Sequence, residues 1–155
     1  MHVIFVCTGN ICRSPMAERV ARRVAADNGV EVHFTSAGTS DEERRNPIDP
    51  RAQRVLRRAG YDPSGHAAHR ITDADAAAAD LIVALDNGHL SRLRHLYPGS
   101  DVRLLTSFDP SVPPGTGVVD PWYGDEAGFD DTLADVERAM PGLFEHLGHP
   151  LDARG

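Results

Sequence analysis

Four short apolar runs, separated by stretches with helical periodicity, constrain the fold of this chain more than any other feature of its sequence. The runs have the length of strands and are rich in Val, Ile, Leu and Phe, and they cover residues 2–6, 30–35, 81–85 and 102–105. Strands that alternate with helices in this way form a parallel sheet with helices on both faces. The sequence therefore predicts an α/β fold, a doubly wound single domain over residues 1–155 with a mainly four-stranded parallel sheet.

Apolar residues recur three and four positions apart between these runs, which predicts helices over 16–27, 52–59, 90–93 and 133–147. Thr72 and Asp75 form a capping-box pattern in front of a further, alanine-rich helix. Pro141 lies inside the last helix and is expected to kink it or to split it in two. The second helix carries a row of arginines, which we interpret as its solvent-facing side, at positions 51, 54, 57 and 58.

The composition is that of a globular protein, with 41% apolar and 25% charged residues. A net charge of −7 argues against a nucleic-acid binder or a protein that docks on anionic membranes, because both need a basic face. No run approaches the roughly 18 apolar residues of a membrane span, and the N-terminus lacks the charged segment of a signal peptide. The 2 cysteines form no disulfide framework, so we expect a cytoplasmic protein, which we take to be a monomer.

The first apolar run leads into a segment that predicts an anion site, Val6-Cys7-Thr8-Gly9-Asn10-Ile11-Cys12-Arg13-Ser14-Pro15. Cys7 and Arg13 enclose five residues between a strand and a helix. Such a loop can turn its backbone N–H groups inward beside the helix N-terminus, where they bind an anion. The same field favours a thiolate at Cys7, and the planar guanidinium of Arg13 can hold two oxygens of a phosphoryl group. We therefore expect a thiolate placed for in-line attack on phosphorus.

The same segment, extended to Glu18, resembles the signature of the low-molecular-weight protein tyrosine phosphatases. Other stretches resemble that family in the same order along the chain, namely Ser36-Ala37-Gly38-Thr39, Asn46-Pro47, Asp49-Pro50-Arg51-Ala52 and Asp120-Pro121-Trp122-Tyr123-Gly124. The resemblance therefore extends over nearly the whole chain. It implies an enzyme that hydrolyses phosphotyrosine in proteins and needs no metal ion or other cofactor.

The resemblance also implies a role for each residue of the site. Cys7 is expected to form a cysteinyl-phosphate intermediate, Arg13 to hold the phosphoryl oxygens, and Asp120 to act as general acid and base. Ser14 is expected to donate its hydroxyl to the Cys7 thiolate, and Asn10 to brace the loop. Substrate contacts are expected from Thr8, Gly9, Asn10, Ile11, Cys12, Ser14, Trp122 and Tyr123. Supporting roles are expected for Ser36, His66 and Asp86.

Two aspartates of the long aperiodic segment 107–128 are candidates for the general acid, Asp109 and Asp120, and each precedes a proline. An Asp-Pro pair is typical of a turn. Only Asp120 is followed by two aromatic residues, which could flank a phenyl ring and shield the acid from water. We therefore assign the acid to Asp120 and a turn to Asp109.

Cys12 allows two interpretations. It could be a small residue packed behind the loop, or it could form a disulfide with Cys7 on oxidation and so protect the nucleophile from irreversible over-oxidation. The sequence favours the second interpretation, provided that the backbone brings the two Cα atoms within about 7 Å of each other.

The sequence departs from the family in two places. The family usually has a large aromatic or aliphatic residue a few positions after Ser-Ala-Gly-Thr, whereas residues 40–45 of this chain are all polar or charged. We interpret this stretch as a solvated surface loop, although a glutamate there would disfavour acidic residues beside the phosphotyrosine. His89 stands where the family usually has asparagine, three residues after the retained Asp86.

Three other functions remain as alternatives. An arsenate reductase of this fold relays oxidation through further cysteines, and the chain has none after Cys12, so it would need an external thiol. Protein-arginine phosphatases of the family carry threonine where Ile11 stands, and an apolar residue there suits a phenyl ring better. A phosphotyrosine-binding module without activity would lack Cys7 or Asp120, and both are present.

Overall fold

The computed structural model describes residues 1–151 and contains a four-stranded sheet in which every neighbouring pair of strands is parallel. The strands are β1 (His2–Cys7), β2 (His33–Gly38), β3 (Leu81–Ala84) and β4 (Val102–Leu104), in the spatial order β2-β1-β3-β4. The predicted α/β fold with a four-stranded parallel sheet is therefore confirmed. Because β1 lies between β2 and β3, the residues that follow its last position reach the loops after both neighbours.

Five α-helices surround the sheet: α1 (Arg13–Asp27), α2 (Pro50–Arg58), α3 (Asp73–Ala78), α4 (Asn87–Leu96) and α5 (Glu126–His146). Two 3-10 turns, Leu105–Phe108 and Pro121–Tyr123, interrupt the long aperiodic segment. The capping box of α3 forms as predicted, with reciprocal hydrogen bonds between Thr72 and Asp75.

Alternate residues of β1 enter two separate hydrophobic cores, because successive side chains of a strand point to opposite faces of the sheet. Val3 and Phe5 belong to the core that α1, α2 and α5 cover. Ile4 and Val6 belong to a smaller core that α3 and α4 cover. Helices therefore pack on both faces of the sheet, as the sequence predicts. Full burial of each large apolar side chain contributes roughly 1.5–3 kcal/mol to stability.

The second strand lies three residues further along the chain than the predicted 30–35. It begins at His33, which pairs with His2 at the very start of β1, so residues 30–32 have no strand residue to pair with. At the other end the pairing continues until Cys7 meets Gly38. The strand therefore includes the Ser36-Ala37-Gly38 stretch, which is too polar and too small to be recognised as a strand from its composition.

Two helix predictions are also corrected by the structure. Helix α1 begins at Arg13 instead of residue 16, because Pro15 fits the first turn, where its missing N–H costs nothing. Helix α5 runs unbroken past Pro141, so the predicted split is wrong. Pro141 is exposed on the outer side of the helix, while Met140 and Leu143 beside it are buried in one core, which holds both halves of the helix on the same surface.

Candidate active site

The phosphate loop, residues 7–14, connects the end of β1 to the start of α1, and its carbonyl oxygens accept hydrogen bonds from neighbouring segments. Three backbone hydrogen bonds hold it, from Thr39 to Cys7 (2.9 Å), from Ser40 to Thr8 (3.1 Å) and from Asp49 to Ile11 (2.9 Å). Gly38 passes so close that a Cβ there would lie 2.6 Å from the Thr8 carbonyl oxygen. Within residues 1–151, none of residues 9–12 donates its backbone N–H to another protein group, so these donors are free for an anion.

Asn10 sets the shape of the phosphate loop from a fully buried position. Its φ of 60° lies in the left-handed region, which asparagine tolerates better than most residues. The side-chain amide donates to Ser14 Oγ (2.9 Å) and Ser36 Oγ (3.0 Å) and accepts from the His69 N–H (3.1 Å). His66 Nε2 lies 2.6 Å from the Asn10 carbonyl oxygen. The structure thus places Ser36 and His66 around Asn10, where they stabilise the turn.

Cys7 lies at the floor of the loop, 3% exposed, with its sulfur 3.0 Å from Ser14 Oγ. Ser14 Oγ already accepts a hydrogen bond from the Asn10 amide, so its own hydrogen is free to point at the sulfur. The only other acceptor near that hydroxyl, in the part of the chain that the structure describes, is the Ala37 carbonyl oxygen at 3.4 Å. The arrangement suits a hydroxyl that donates to a cysteine sulfur.

Arg13 is 4% exposed and is fixed by partners on two other loops. Its Nη1 donates to Asp86 Oδ2 (2.9 Å) and to the Val118 carbonyl oxygen (2.7 Å). Burial raises the pKa of Asp86, but the hydrogen bond from the His89 N–H and the Arg13 guanidinium outweigh it and hold that pKa below its usual value. The guanidinium is therefore held in one orientation, with Nη2 directed towards Asp120 at 3.8 Å.

The acid loop, residues 118–124, forms one wall of a cleft of about 350 Å³ above Cys7. Asp120 accepts a hydrogen bond from the Trp122 N–H (3.1 Å), and its side chain is 46% exposed. The cleft is also lined by Thr8, Gly9, Ile11, Cys12, Arg13, Trp122 and Tyr123. Ser14 and Asp86 do not line the cleft but contact its residues Cys7 and Arg13, while Ser36 and His66 contact Asn10 behind it.

Asp109, the other candidate for the acid, lies away from the cleft and is 5% exposed. Its carboxylate accepts hydrogen bonds from the N–H (2.9 Å) and the hydroxyl (2.6 Å) of Ser111. These bonds, followed by the charge of Arg138, lower the pKa of Asp109 below its usual value. Asp109 is thus placed to stabilise the turn that starts the long segment.

Three residues that the sequence did not assign to the site, Glu42, Glu43 and His89, line the cleft or contact a residue that does. Glu42 and Glu43 line the cleft, although their stretch was interpreted as a solvated surface loop. His89 is 6% exposed, and its Nε2 lies 2.8 Å from Thr8 Oγ1. Its Nδ1 lies 3.2 Å from Asp86 Oδ1 but without the alignment of a hydrogen bond. The departure from asparagine at position 89 was the only sequence signal for this contact.

Cys12 is buried at the start of α1 and also borders the cleft. Burial, followed by the nearby Asp49 carboxylate, raises the pKa of the Cys12 thiol far above its ordinary value. Cys12 is therefore protonated and unsuited to be the nucleophile. Its pairing with Cys7 on oxidation stays a prediction.

No helix within residues 1–151 is long and apolar enough to cross a membrane. In the same residues, no three His, Cys, Asp or Glu side chains are grouped so that they could hold a metal ion. The cleft combines a thiol, a buried guanidinium and free backbone N–H groups, which fits the class of hydrolases with a cysteine nucleophile in a phosphate-binding loop.

Comparison with known proteins agrees with that class. A family model described as low molecular weight phosphotyrosine protein phosphatase matches residues 2–152. Low molecular weight protein-tyrosine phosphatase A of Mycobacterium tuberculosis is 43% identical over 100% of this chain and 96% of its own length. A solved protein tyrosine phosphatase from Entamoeba histolytica has a TM-score of 0.88 and 29% identity, covering 96% of this chain and 97% of its own.

A solved arginine phosphatase from Drosophila is also similar, with a TM-score of 0.86 and 25% identity over 95% of this chain and 98% of its own. The match to the family model and the identity to the mycobacterial enzyme together show that the chain belongs to the low molecular weight phosphotyrosine protein phosphatase family. It is accordingly an enzyme of the protein-tyrosine-phosphatase class, a hydrolase, and the resemblance noted in the sequence is confirmed.

The buried His89 generates a prediction about pH. Burial, together with the positive charge of Arg13, lowers the pKa of His89 from 6.5 to about 4. The negative charges of Asp86 and Asp120 oppose this shift only in part. Between these two values the unfolded chain binds a proton that the folded chain does not, so stability falls as the pH falls from 6.5 towards 4. His89→Asn has no imidazole to protonate and so lacks this loss. When the pH is lowered from 7 to 4.5, its free energy of unfolding should therefore fall by roughly 1–3 kcal/mol less than that of wild type.

Urea unfolding at both pH values measures this difference. The exposed His95, changed to asparagine, is the matched control and should follow the wild-type pH dependence. Parallel pH profiles for wild type and His89→Asn would show that His89 does not resist protonation in the folded protein.

Proposed function

We propose that this enzyme hydrolyses phosphotyrosine in proteins through a cysteinyl-phosphate intermediate, with Cys7 as nucleophile, Arg13 as phosphate clamp and Asp120 as general acid and base. One observation carries the proposal: the sulfur, the guanidinium and the carboxylate line a single cleft, with Arg13 Nη2 only 3.8 Å from Asp120 Oδ2. A phosphoryl group on the loop N–H groups would have the thiolate on one side and the acid on the other.

In the first step the Cys7 thiolate attacks phosphorus and an S–P bond forms while the bond between phosphorus and the tyrosine oxygen breaks. Arg13 and the N–H groups of residues 9–12 stabilise the charge on the phosphoryl oxygens. Asp120, protonated before the step, gives its proton to the leaving phenolate. The Ser14 hydroxyl, 3.0 Å from the sulfur, stabilises the thiolate before attack and after it is released.

In the second step a water molecule attacks phosphorus and the S–P bond breaks. Asp120, now ionised, takes a proton from that water, so that inorganic phosphate and the Cys7 thiolate are released. The exposure of the Asp120 side chain, 46%, supports this part, because water can reach the carboxylate. The cycle balances without an oxidant, a reductant or a metal ion.

Phosphotyrosine is favoured over phosphoarginine by the walls of the cleft. Ile11, 7% exposed, presents an apolar side chain to the space in which the substrate lies. Trp122 and Tyr123, which line the same cleft, can flank a phenyl ring. Glu42 and Glu43 add negative charge beside it, so we expect acidic residues next to the phosphotyrosine to be disfavoured.

The remaining alternatives have less support. Arsenate reduction would need an external thiol, because the chain has no cysteine after Cys12. A binding module without activity has no use for both Cys7 and Asp120 at one cleft. A cytoplasmic monomer stays the expectation, because the chain has 2 cysteines and no disulfide framework.

A panel of phosphopeptides tests the proposal. With the same flanking sequence and EDTA present, the phosphotyrosine peptide should have a kcat/KM at least about 100-fold above those of the phosphoserine and phosphoarginine peptides. Cys7→Ser should abolish all turnover, which excludes a contaminating phosphatase. Ile11→Thr replaces the apolar wall by a hydroxyl and should reduce the preference for phosphotyrosine. Loss of turnover in EDTA, or phosphoarginine as the best substrate, would overturn the proposal.

The assignment of the acid gives a second prediction. Phenyl phosphate leaves as a basic phenolate that needs a proton, whereas an activated aryl phosphate leaves as a stable anion. Asp120→Asn should therefore lower kcat/KM for phenyl phosphate by about 100-fold or more, and for an activated ester much less. It should also remove the alkaline fall of the pH–rate profile.

Asp109→Asn is the matched control, since Asp109 has the same Asp-Pro pattern but contacts Ser111 and Arg138 instead of the cleft. It should lower the melting temperature and leave the dependence on the leaving group unchanged. A steep dependence in Asp109→Asn, with none in Asp120→Asn, would mean that the acid is misassigned.

A further inference from the structure

Arg51, at the start of α2, contacts the acid loop directly and reaches the phosphate loop through Asp49, without lining the cleft itself. The sequence indicated only a solvent-facing arginine at this position. Its side chain is 27% exposed, half as much as that of Arg54 in the same helix, which is 56% exposed. The difference is due to the groups that surround the Arg51 guanidinium.

On one side Arg51 is fixed by Asp49, a buried residue that is bound to the phosphate loop. Arg51 Nε and Nη2 donate to the two carboxylate oxygens of Asp49, each at 3.1 Å. The backbone N–H of Asp49 donates to the carbonyl oxygen of Ile11 at 2.9 Å. Burial raises the pKa of Asp49, but the Arg51 hydrogen bonds outweigh it and lower that pKa overall, so the carboxylate is ionised and the pair is charged.

On its other side Arg51 holds the acid loop. Its Nη1 donates to the carbonyl oxygens of Trp122 (3.2 Å) and Gly124 (3.3 Å). The guanidinium carbon also lies 5.3 Å from the centroid of the Trp122 ring and 4.6 Å from that of Phe129. Since Asp120 is hydrogen-bonded to the Trp122 N–H, a fixed Trp122 also fixes the acid.

We infer that Arg51 is the positioning residue that sets the acid loop against the phosphate loop, and so holds Asp120 over Cys7 and Arg13. The inference rests on the proposed function only in taking Asp120 as the acid. The chain of contacts runs from Ile11 through Asp49 and Arg51 to Trp122. Displacement of a reacting group by about 1 Å can cost up to 100-fold in rate, so a loss of this connection should be measurable.

Lysine cannot replace the arginine in this role. The N–H groups of a guanidinium lie in one plane on three nitrogens, so they reach Asp49 and the two carbonyl oxygens at once. The N–H groups of a lysine ammonium all share one nitrogen and cannot span these partners. Arg51→Lys therefore keeps the charge and most of the side-chain volume but loses the connection. Arg54→Lys is the matched control, because Arg54 lies on the same helix and pairs with Glu126 (2.6 Å) instead of the acid loop.

The test compares these variants with phenyl phosphate and an activated aryl phosphate. Arg51→Lys should lower kcat/KM about tenfold or more for phenyl phosphate and less than about threefold for the activated ester. Inhibition by inorganic phosphate should stay within about twofold, because Arg13 and the phosphate loop are intact. Arg54→Lys should resemble wild type in all three measurements.

Trp122 is the only tryptophan of the chain, so its fluorescence reports on the acid loop without any assay of activity. In Arg51→Lys the emission should shift and acrylamide should quench it more strongly, while Arg54→Lys should match wild type. Unchanged fluorescence together with an unchanged leaving-group dependence in Arg51→Lys, at a melting temperature like that of wild type, would overturn the inference.

A double variant separates this inference from the function on which it rests. If Arg51 acts through Asp120, Arg51→Lys should add no further leaving-group dependence in the Asp120→Asn background. An additive effect there would contradict the positioning role. If Asp120→Asn slows both substrates equally, the assignment of the acid is wrong. If Asp120→Asn slows phenyl phosphate much more than the activated ester but Arg51→Lys slows neither, only the role of Arg51 is refuted.

Discussion

The ion pair between Arg13 and Asp86 is the interaction on which the rest of the site depends. It places a guanidinium of 4% exposure beside the nucleophile and connects the loop after β1 to the loop after β3. The second partner of the same guanidinium nitrogen, the Val118 carbonyl oxygen, brings in the acid loop. Loss of Asp86 would leave the charge of the buried Arg13 guanidinium without its carboxylate partner. The pair therefore orients the Arg13 guanidinium and connects three loops.

The order of the strands explains why these loops meet. Because β1 lies between β2 and β3, and all strands are parallel, the segments after Cys7, Gly38 and Ala84 emerge at one edge of the sheet. The segment after Cys7 is the phosphate loop, Gly38 at the end of β2 lets the backbone approach that loop, and the segment after Ala84 supplies Asp86, which orients Arg13. Only the acid loop comes from farther along the chain, and Arg51 adds a second connection to it from α2.

Most of the fold could be predicted because it follows from apolar periodicity, and so could the parts of the site that lie in one continuous segment. The strand over His33–Gly38 was misplaced because its register depends on where β1 begins, which no local pattern reveals. The contact of His89 with Thr8 and the exposure of Glu42 and Glu43 to the cleft join residues far apart in sequence. Arg51 could not be distinguished from its solvent-facing neighbours for the same reason. The sequence of α2 does not show which other elements pack against it, and these elements supply the partners of Arg51.

The affinity for inorganic phosphate tests most directly the claim that a buried, oriented guanidinium defines this site. Binding should be measured by calorimetry in the Cys7→Ser background, which has no nucleophile, with arginine or lysine at position 13. The account predicts that Cys7→Ser alone binds phosphate about as well as wild type. Addition of Arg13→Lys should weaken phosphate binding by about 10- to 100-fold, because two charge-assisted hydrogen bonds are lost. Equal affinity with arginine and lysine would contradict it.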